Sequence, residues 1–317
     1  NGDYILFYGQ SPHTWKYDAQ SSLFKHETHL FSDAVNYFIT TDGQHVGRRI
    51  EQKETLQNPT KTITSFNAFS FHELELENLI NSGREWFGER FDSQNSQSFD
   101  FSFPNLEMTF PVSVKTSVAA RSLNPSSFLV SVNSDPLQAI SVQNIVTTYA
   151  SAYANTSSKT SVYMASSSNL TIDIEYTSAD NGAFSWLNYI EINARRKLKM
   201  SEDYLLFRDA ASIENGVASF ELSNANIGIS VWDVTDPTSV VKMQTSINDN
   251  KLFFNDSVNE LHEYIAFSSS AYLTPSILGE ITNQNLHNTS IGVEYVIVSH
   301  PNFLVPAERL ADFHQEK

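Results

Sequence analysis

His26 and His29 stand three residues apart, and His45 can reach them across a strand, so three imidazoles could gather as ligands for a metal. No carboxylate completes a recognised spacing around them, and surface histidines are the simpler reading. His72 and Glu73 open like the His-Glu-x-x-His helix of zinc peptidases, but the second histidine would fall at position 76, where Leu76 stands. Asp233 and Asp236 flank a strand end ahead of Pro237, a place for turn-forming carboxylates rather than calcium ligands. The run from Asp249 to Asp256 has spare oxygens, and a β-turn explains it better. Serine, histidine and aspartate all occur, but no Gly-x-Ser-x-Gly elbow and no glycine-rich phosphate loop accompanies them. The 317 residues include no cysteine, which removes a thiol nucleophile, disulfides and thiolate metal sites. The sequence therefore supports no catalytic residue, no metal and no cofactor.

Trp86, Trp186 and Trp232 could line a sugar-binding platform, although core tryptophans account for them more simply. Four Asn-x-Ser/Thr sequons, at Asn155, Asn169, Asn255 and Asn288, are expected by chance in so Asn-, Ser- and Thr-rich a chain. The basic cluster Arg195, Arg196 and Lys197 reads as a solvated strand end or turn. Against 20 basic residues stand 36 acidic ones, a net charge of −16 that argues against nucleic acid and anionic lipid as partners. No apolar run approaches the ~20 residues that span a bilayer, so direct membrane insertion is not expected. Charged residues are only 18% of the chain, with neutral polar residues in their place, which suits an exported protein. No basic-then-apolar leader opens the chain, which fits a mature segment whose targeting sequence lies outside it.

The elements that would position any site are strands. Tyr4, Leu6 and Tyr8 begin an apolar run. A hairpin is expected over residues 37–50, turning at Asp42 and Gly43. Phe99, Phe101 and Phe103 alternate, as do Phe128, Val130 and Val132 before a turn from Asn133 to Pro136. Leu170, Ile172, Ile174 and Tyr176 give the cleanest strand. Short strands continue through Phe207, Phe220, Trp232, Met243, Phe254 and Phe267. Residues 74–80 fit a strand or a short helix. This pattern predicts a mainly β protein of antiparallel, sandwich or jelly-roll-like modules: a first module over residues 1–105, a sandwich over 106–200 and a smaller module over 201–288. Residues 289–317 differ. A nearly continuous apolar strand is expected over 293–299, then a loop, then a helix with Pro306 near its start and Ala307, Leu310 and Ala311 on one face. One strand and one helix read as the entrance to an α/β domain that continues past Lys317.

The most specific segment runs from Ser82 through Gly83, Arg84, Glu85, Trp86, Phe87 and Gly88 to Glu89. Together with the opening Gly-Asp-Tyr-Ile-Leu-Phe-Tyr run to Tyr8, it resembles the N-terminal region of gingipain-like cysteine peptidases, those of the PorU type that serve as sortase of the type IX secretion system. Trp186 to Asn193 followed by Arg195 and Arg196, the run around Trp232 and Asp233, and the stretch from Tyr295 through His300 to His314 also fit, in order along the chain. The family's catalytic His and Cys come later, in its α/β domain, and no residue here matches them; His300 would lie in the first βα loop and is not carried over as catalytic. The resemblance implies a non-catalytic region of an envelope enzyme, periplasmic or at the cell surface of a Gram-negative bacterium. The full enzyme removes a C-terminal sorting domain from cargo and links the cargo to a surface glycolipid. The implied partners are the chain's own peptidase domain, cargo C-terminal domains and envelope proteins. A carbohydrate-binding β module and a propeptide-like inhibitory domain are the other readings.

Overall fold

A computed structural model describes residues 4–40, 47, 49–92, 94–149, 151–282, 290, 292 and 294–315. Along the chain run β1 (Thr14–Asp18), β2 (Leu23–Glu27), β3 (Glu51–Lys53), β4 (Lys61–Ile63), β5 (Ser65–Glu73), β6 (Arg90–Phe91) and β7 (Ser96–Ser102). Then come β8 (Val112–Arg121), β9 (Ser126–Val132), β10 (Asp135–Val142), β11 (Asn155–Tyr163), β12 (Asn169–Ser178) and β13 (Phe184–Lys197). They are followed by β14 (Tyr204–Arg208), β15 (Val217–Ser223), β16 (Ser230–Asp233), β17 (Val241–Met243), β18 (Ser246–Asn248), β19 (Lys251–Ser257), β20 (Glu263–Phe267) and the helix α1 (Leu304–Gln315). Strand makes up 44% and helix 7%, so the mainly β reading holds.

Two sheets face each other in a first sandwich, β10-β9-β12-β7 and β11-β8-β13-β5. The alternation seen in the sequence supplies its core. Phe99, Phe101, Phe128, Val130, Val132, Leu170, Ile172 and Ile174 are buried from one sheet; Val112, Val114, Leu187, Ile190 and Ile192 are buried from the other. The register of β13 on β8 shifts between Leu187 and Tyr189, a bulge that reverses the strand's inward parity partway along. Asn133 and Ser134 both take positive φ (50° and 72°), the two-residue turn that suits a twisted hairpin.

A second sandwich pairs β14-β20-β16-β17-β3 with β18-β19-β15-β4. Two of its ladders are parallel, β17 with β3 and β15 with β4, so these sheets are mixed. The residues expected to form a first module to about 105 are thus shared out: β3 and β4 complete the second sandwich, while β5 and β7 complete the first. Buried residues from both sandwiches form one continuous hydrophobic cluster.

Several local expectations are corrected. Among the described residues, 4–10 pair with no strand; Leu6 and Tyr8 instead pack against the cluster of Trp232, Val234 and Phe267, so their alternation serves side-chain contact without a ladder. The turn of the expected 37–50 hairpin lies outside the described residues, and residues 37–40 belong to no strand among the described residues. Residues 74–80 are neither strand nor helix, holding one isolated bridge at Glu77. Arg195 and Arg196 are not a solvated end. Arg195 forms an ion pair with the buried Asp209 and donates to Ser65 and Asn67, and Arg196 donates to the Pro104 carbonyl with its guanidinium over Phe66. These contacts occupy most of the Arg195 donors and one of the Arg196 donors.

Residues 273–317 form a separate unit. Helix α1 forms as expected, with Pro306 in its first turn, where no intrahelical N–H is lost. The strand expected over 293–299 is not formed among the described residues 294–299, because no neighbouring strand supplies a ladder. No helix among the described residues is long and apolar enough to cross a membrane.

Candidate functional site

The segment that carries the specific motif folds as a flap leaving the edge of β5. The N–H groups of Leu76 and Glu77 both donate to the Phe87 carbonyl (2.9 Å each), and the Phe87 N–H donates to the Glu77 carbonyl (2.9 Å). The tip is closed by Asn78, whose Oδ1 accepts from the Ser82 N–H (2.9 Å), and by Gly83 at φ +85°, a conformation costly for other residues. Gly88 is required for another reason: a Cβ there would lie 3.1 Å from the Leu74 carbonyl oxygen.

Glu77 and Phe87 are opposite one another, so both point to the same side. That side is inward: Phe87 packs with the buried Trp186 and Ala119, and Trp186 Nε1 donates to Glu77 Oε2 (2.7 Å). Leu76 and Trp86, one residue along on each arm, face out and are 63% and 40% exposed. Arg84 and Glu85 are exposed beside them. The flap is thus an apolar ridge of Leu76 and Trp86 on a rigid base. Trp86→Ala should cost under about 1 kcal/mol of stability, because its ring is only partly buried. Phe87→Ala should cost about 3–5 kcal/mol. Urea denaturation of the two variants checks the assignment, and equal costs would contradict it.

Trp232 and Asp233 sit at the end of β16. Trp232 is buried with its ring edge-on to Phe267 (4.8 Å). With Trp186 and Trp232 both in the core, two of the three rings of the supposed sugar platform are removed. Asp233 Oδ1 accepts from the Thr235 N–H and hydroxyl (3.0 and 2.6 Å), the turn-forming role expected of it.

Asp233 does more than that role required. Its Oδ2 accepts from His262 Nδ1 (3.0 Å), and Asp256 stands beside them, so one ligand atom from each of the three lies within 4.8 Å of the others. A divalent cation could be held there on chemistry alone. The Lys53 ammonium, however, contacts both Asp256 oxygens (2.7 and 2.9 Å) and stands 3.9 Å from Asp233. Tyr264 also donates its hydroxyl to Asp256 (2.9 Å). Burial pushes the Asp233 carboxyl up, and the hydrogen bonds from His262 and Thr235 outweigh it and hold the group below the usual carboxylate range. The bond to Asp233 raises the His262 pKa against the opposing effect of burial. The cluster is an internally neutralised ion network tying β3, β16 and β19 together, with a lysine where a metal would sit.

The histidines separate. The His26 side chain is buried rather than at the surface: its ring lies between Glu73 and Glu191. His29 is exposed and accepts from the Phe31 and Ser32 N–H groups, and His45 lies outside the described residues. His300 precedes a short 3₁₀ turn and its Nδ1 accepts from the Asn302 N–H (3.2 Å), a capping role. No short spacing joins Lys53, His262 or the Glu73–His26–Glu191 arrangement, and Asp256, expected among the oxygens of a β-turn, instead lies on β19 with its carboxylate paired to Lys53.

No family model and no curated protein sequence matches the chain. Among solved structures, the chain is similar to the crystal structure of dimeric latent PorU from Porphyromonas gingivalis, with a TM-score of 0.78 and 20% sequence identity. The match covers 98% of this chain and 30% of that one, so the chain spans under a third of that protein's length. At this identity the likeness is one of fold.

Proposed function

We propose that this chain is the non-catalytic N-terminal region of a gingipain-like cysteine peptidase that acts as a type IX secretion sortase. In this reading it is exported, works at the cell envelope, supports its own peptidase domain and helps present cargo C-terminal domains. The observation that carries the reading is a fold likeness running over nearly the whole chain, in a sequence whose motifs resemble the same family in the same order. The lack of any cysteine agrees, because thiolate chemistry has no nucleophile in these residues.

The flap is the surface offered to the peptidase domain. Its base is fixed by the Trp186–Glu77 hydrogen bond and by Phe87, so the Leu76 and Trp86 side chains are held out on a rigid support. Aromatic anchors on fixed supports contribute most to protein contacts. The test uses the natural full-length gene product carrying Leu76→Ser and Trp86→Ala together. Cargo processing should fall tenfold or more while the melting temperature of the β region stays within two degrees. A processing rate equal to that of the unmodified protein would reject the flap as a supporting contact. A higher rate would favour the inhibitory, propeptide-like reading.

A further inference from the structure

Strands β1 and β2 pair with each other and with no other strand, and no main-chain hydrogen bond joins this hairpin to another element among the described residues. Side chains attach it at two places. At the first, Asn193 grips the Phe24 main chain, accepting from its N–H (2.7 Å) and donating to its carbonyl (3.0 Å). Beside it His26 places Nδ1 on Glu191 and Nε2 on Glu73, both at 2.7 Å, with its ring stacked on Phe71 (4.5 Å). At the second, Trp15 Nε1 donates to Glu263 (2.7 Å), and the Arg208 guanidinium lies over Trp15 (4.4 Å) and Phe24 (5.1 Å). Asn193, Glu191 and Glu73 belong to the first sandwich; Glu263 and Arg208 belong to the second. The hairpin therefore bridges the seam.

We propose that the β1–β2 hairpin is a clasp between the two sandwiches that opens as one unit, by releasing side chains, while both sandwiches stay folded. An element joined by ladders cannot leave without breaking main-chain bonds in its neighbours. This one can, and elements of that kind open below the free energy of global unfolding.

The geometry also makes the clasp proton-dependent. A neutral imidazole has one N–H, and two carboxyl groups stand at 2.7 Å from the two ring nitrogens; with both carboxylates ionised, both nitrogens donate and His26 is an imidazolium when closed. Facing it are Glu73 from β5, Glu191 and Tyr189 from β13, and Lys115 from β8, whose ammonium lies 3.3 Å from Glu191. Glu75, His13 and Asp33 lie at the rim of the adjoining groove. At the second anchor are Arg208, Glu263 and Tyr8. Burial lowers the His26 pKa, but the bonds to Glu191 and Glu73 outweigh it and raise it to about 9. A raised pKa gives stability that is fully present below the ordinary value of ~6.5 and is lost as pH rises through about 9. Seen from the other partner, burial raises the Glu191 pKa while the His26 bonds more than offset it, so the clasp also weakens in acid as that carboxylate protonates.

Hydrogen exchange of the whole chain, corrected for intrinsic rates, tests the clasp. Between pH 6.5 and 9 the opening constant of residues 14–27 should rise on the order of 100-fold. Over the same range the amides of β8, β13, β19 and β20 should keep their protection. His26→Gln should flatten the pH dependence with the sandwiches still protected. Should that variant not fold, Glu73→Gln, which leaves Glu191 in place, should reduce the slope. Hairpin amides that exchange with the same free energy as β8 and β13 at every pH would overturn the proposal, because the hairpin would then open only with the whole fold. A wild-type opening constant that does not change with pH would overturn it equally.

Discussion

Trp186→Ala should lower the unfolding free energy by about 3–5 kcal/mol, the range for removing a large buried aromatic. The Trp186 ring is 1% exposed and packs against Phe87 and Ala119. Its removal leaves a cavity between the outer face of β13 and the flap. It also leaves the Glu77 carboxylate without the indole N–H that it accepts from at 2.7 Å. Arg90 lies over the neighbouring Phe184 ring (4.3 Å) and extends toward Trp186, so it loses part of its apolar support as well. Trp186→Phe should keep most of the volume and cost about 1–3 kcal/mol, largely for the unpaired carboxylate. Exchange of the Leu76, Glu77 and Phe87 amides should quicken in both variants, since Trp186 holds the flap down. Denaturant titration and exchange together check this. A loss below about 1 kcal/mol for Trp186→Ala would mean that the ring is not the flap's base.

Lys53→Met should destabilise the chain by about 3 kcal/mol, because it strands the fully buried Asp256 carboxylate without its counter-ion. The lower end of the range for broken buried pairs applies, since Tyr264 and the Ser257 N–H still donate to Asp256. Lys53→Met combined with Asp256→Asn should recover at least half of the loss, since no charge then remains unpaired. The cycle also tests the reading that a lysine stands where a metal would. Millimolar zinc or manganese should leave the melting temperature of the wild-type chain unchanged and raise that of Lys53→Ala, in which the Asp233, Asp256 and His262 ligands are freed. A double variant no more stable than Lys53→Met, or a rise with metal in the wild type, would contradict it.

These sites differ in how far the sequence revealed them. Phe99, Phe101, Leu170, Ile172 and Ile174 announced their strands because side chains on a half-buried strand repeat every two residues. The flap's glycines and its aromatic pair stood out as the most specific segment, although only the fold shows that Phe87 faces in and Trp86 faces out. Strands β3 and β4 carried no such signal. They are three residues long, mostly polar (Glu-Gln-Lys and Lys-Thr-Ile), and they enter the second sandwich in parallel, across 190 residues of sequence for β3 and 157 for β4. The Lys53–Asp256 pair spans 203 positions, so no spacing rule could find it. His26 looked like a surface residue because Lys25 and Glu27 flank it on the solvent side. Its burial depends on Glu73 and Glu191, which different strands bring to the same place. Arg195 and Arg196 misled for the same reason: their partners, Asp209 and the Pro104 carbonyl, come from distant turns.

As proposed above, these residues are the non-catalytic partner of a cysteine peptidase domain. Cleavage of a type IX cargo C-terminal domain tests that proposal most directly, comparing the purified 317-residue chain with the natural full-length gene product, each with and without a thiol-alkylating reagent. The 317-residue chain alone should cleave nothing. The full-length product should cleave the cargo domain, and alkylation should abolish that cleavage. Cleavage by the 317-residue chain alone, or a full-length product that is inactive or insensitive to alkylation, would contradict the proposal.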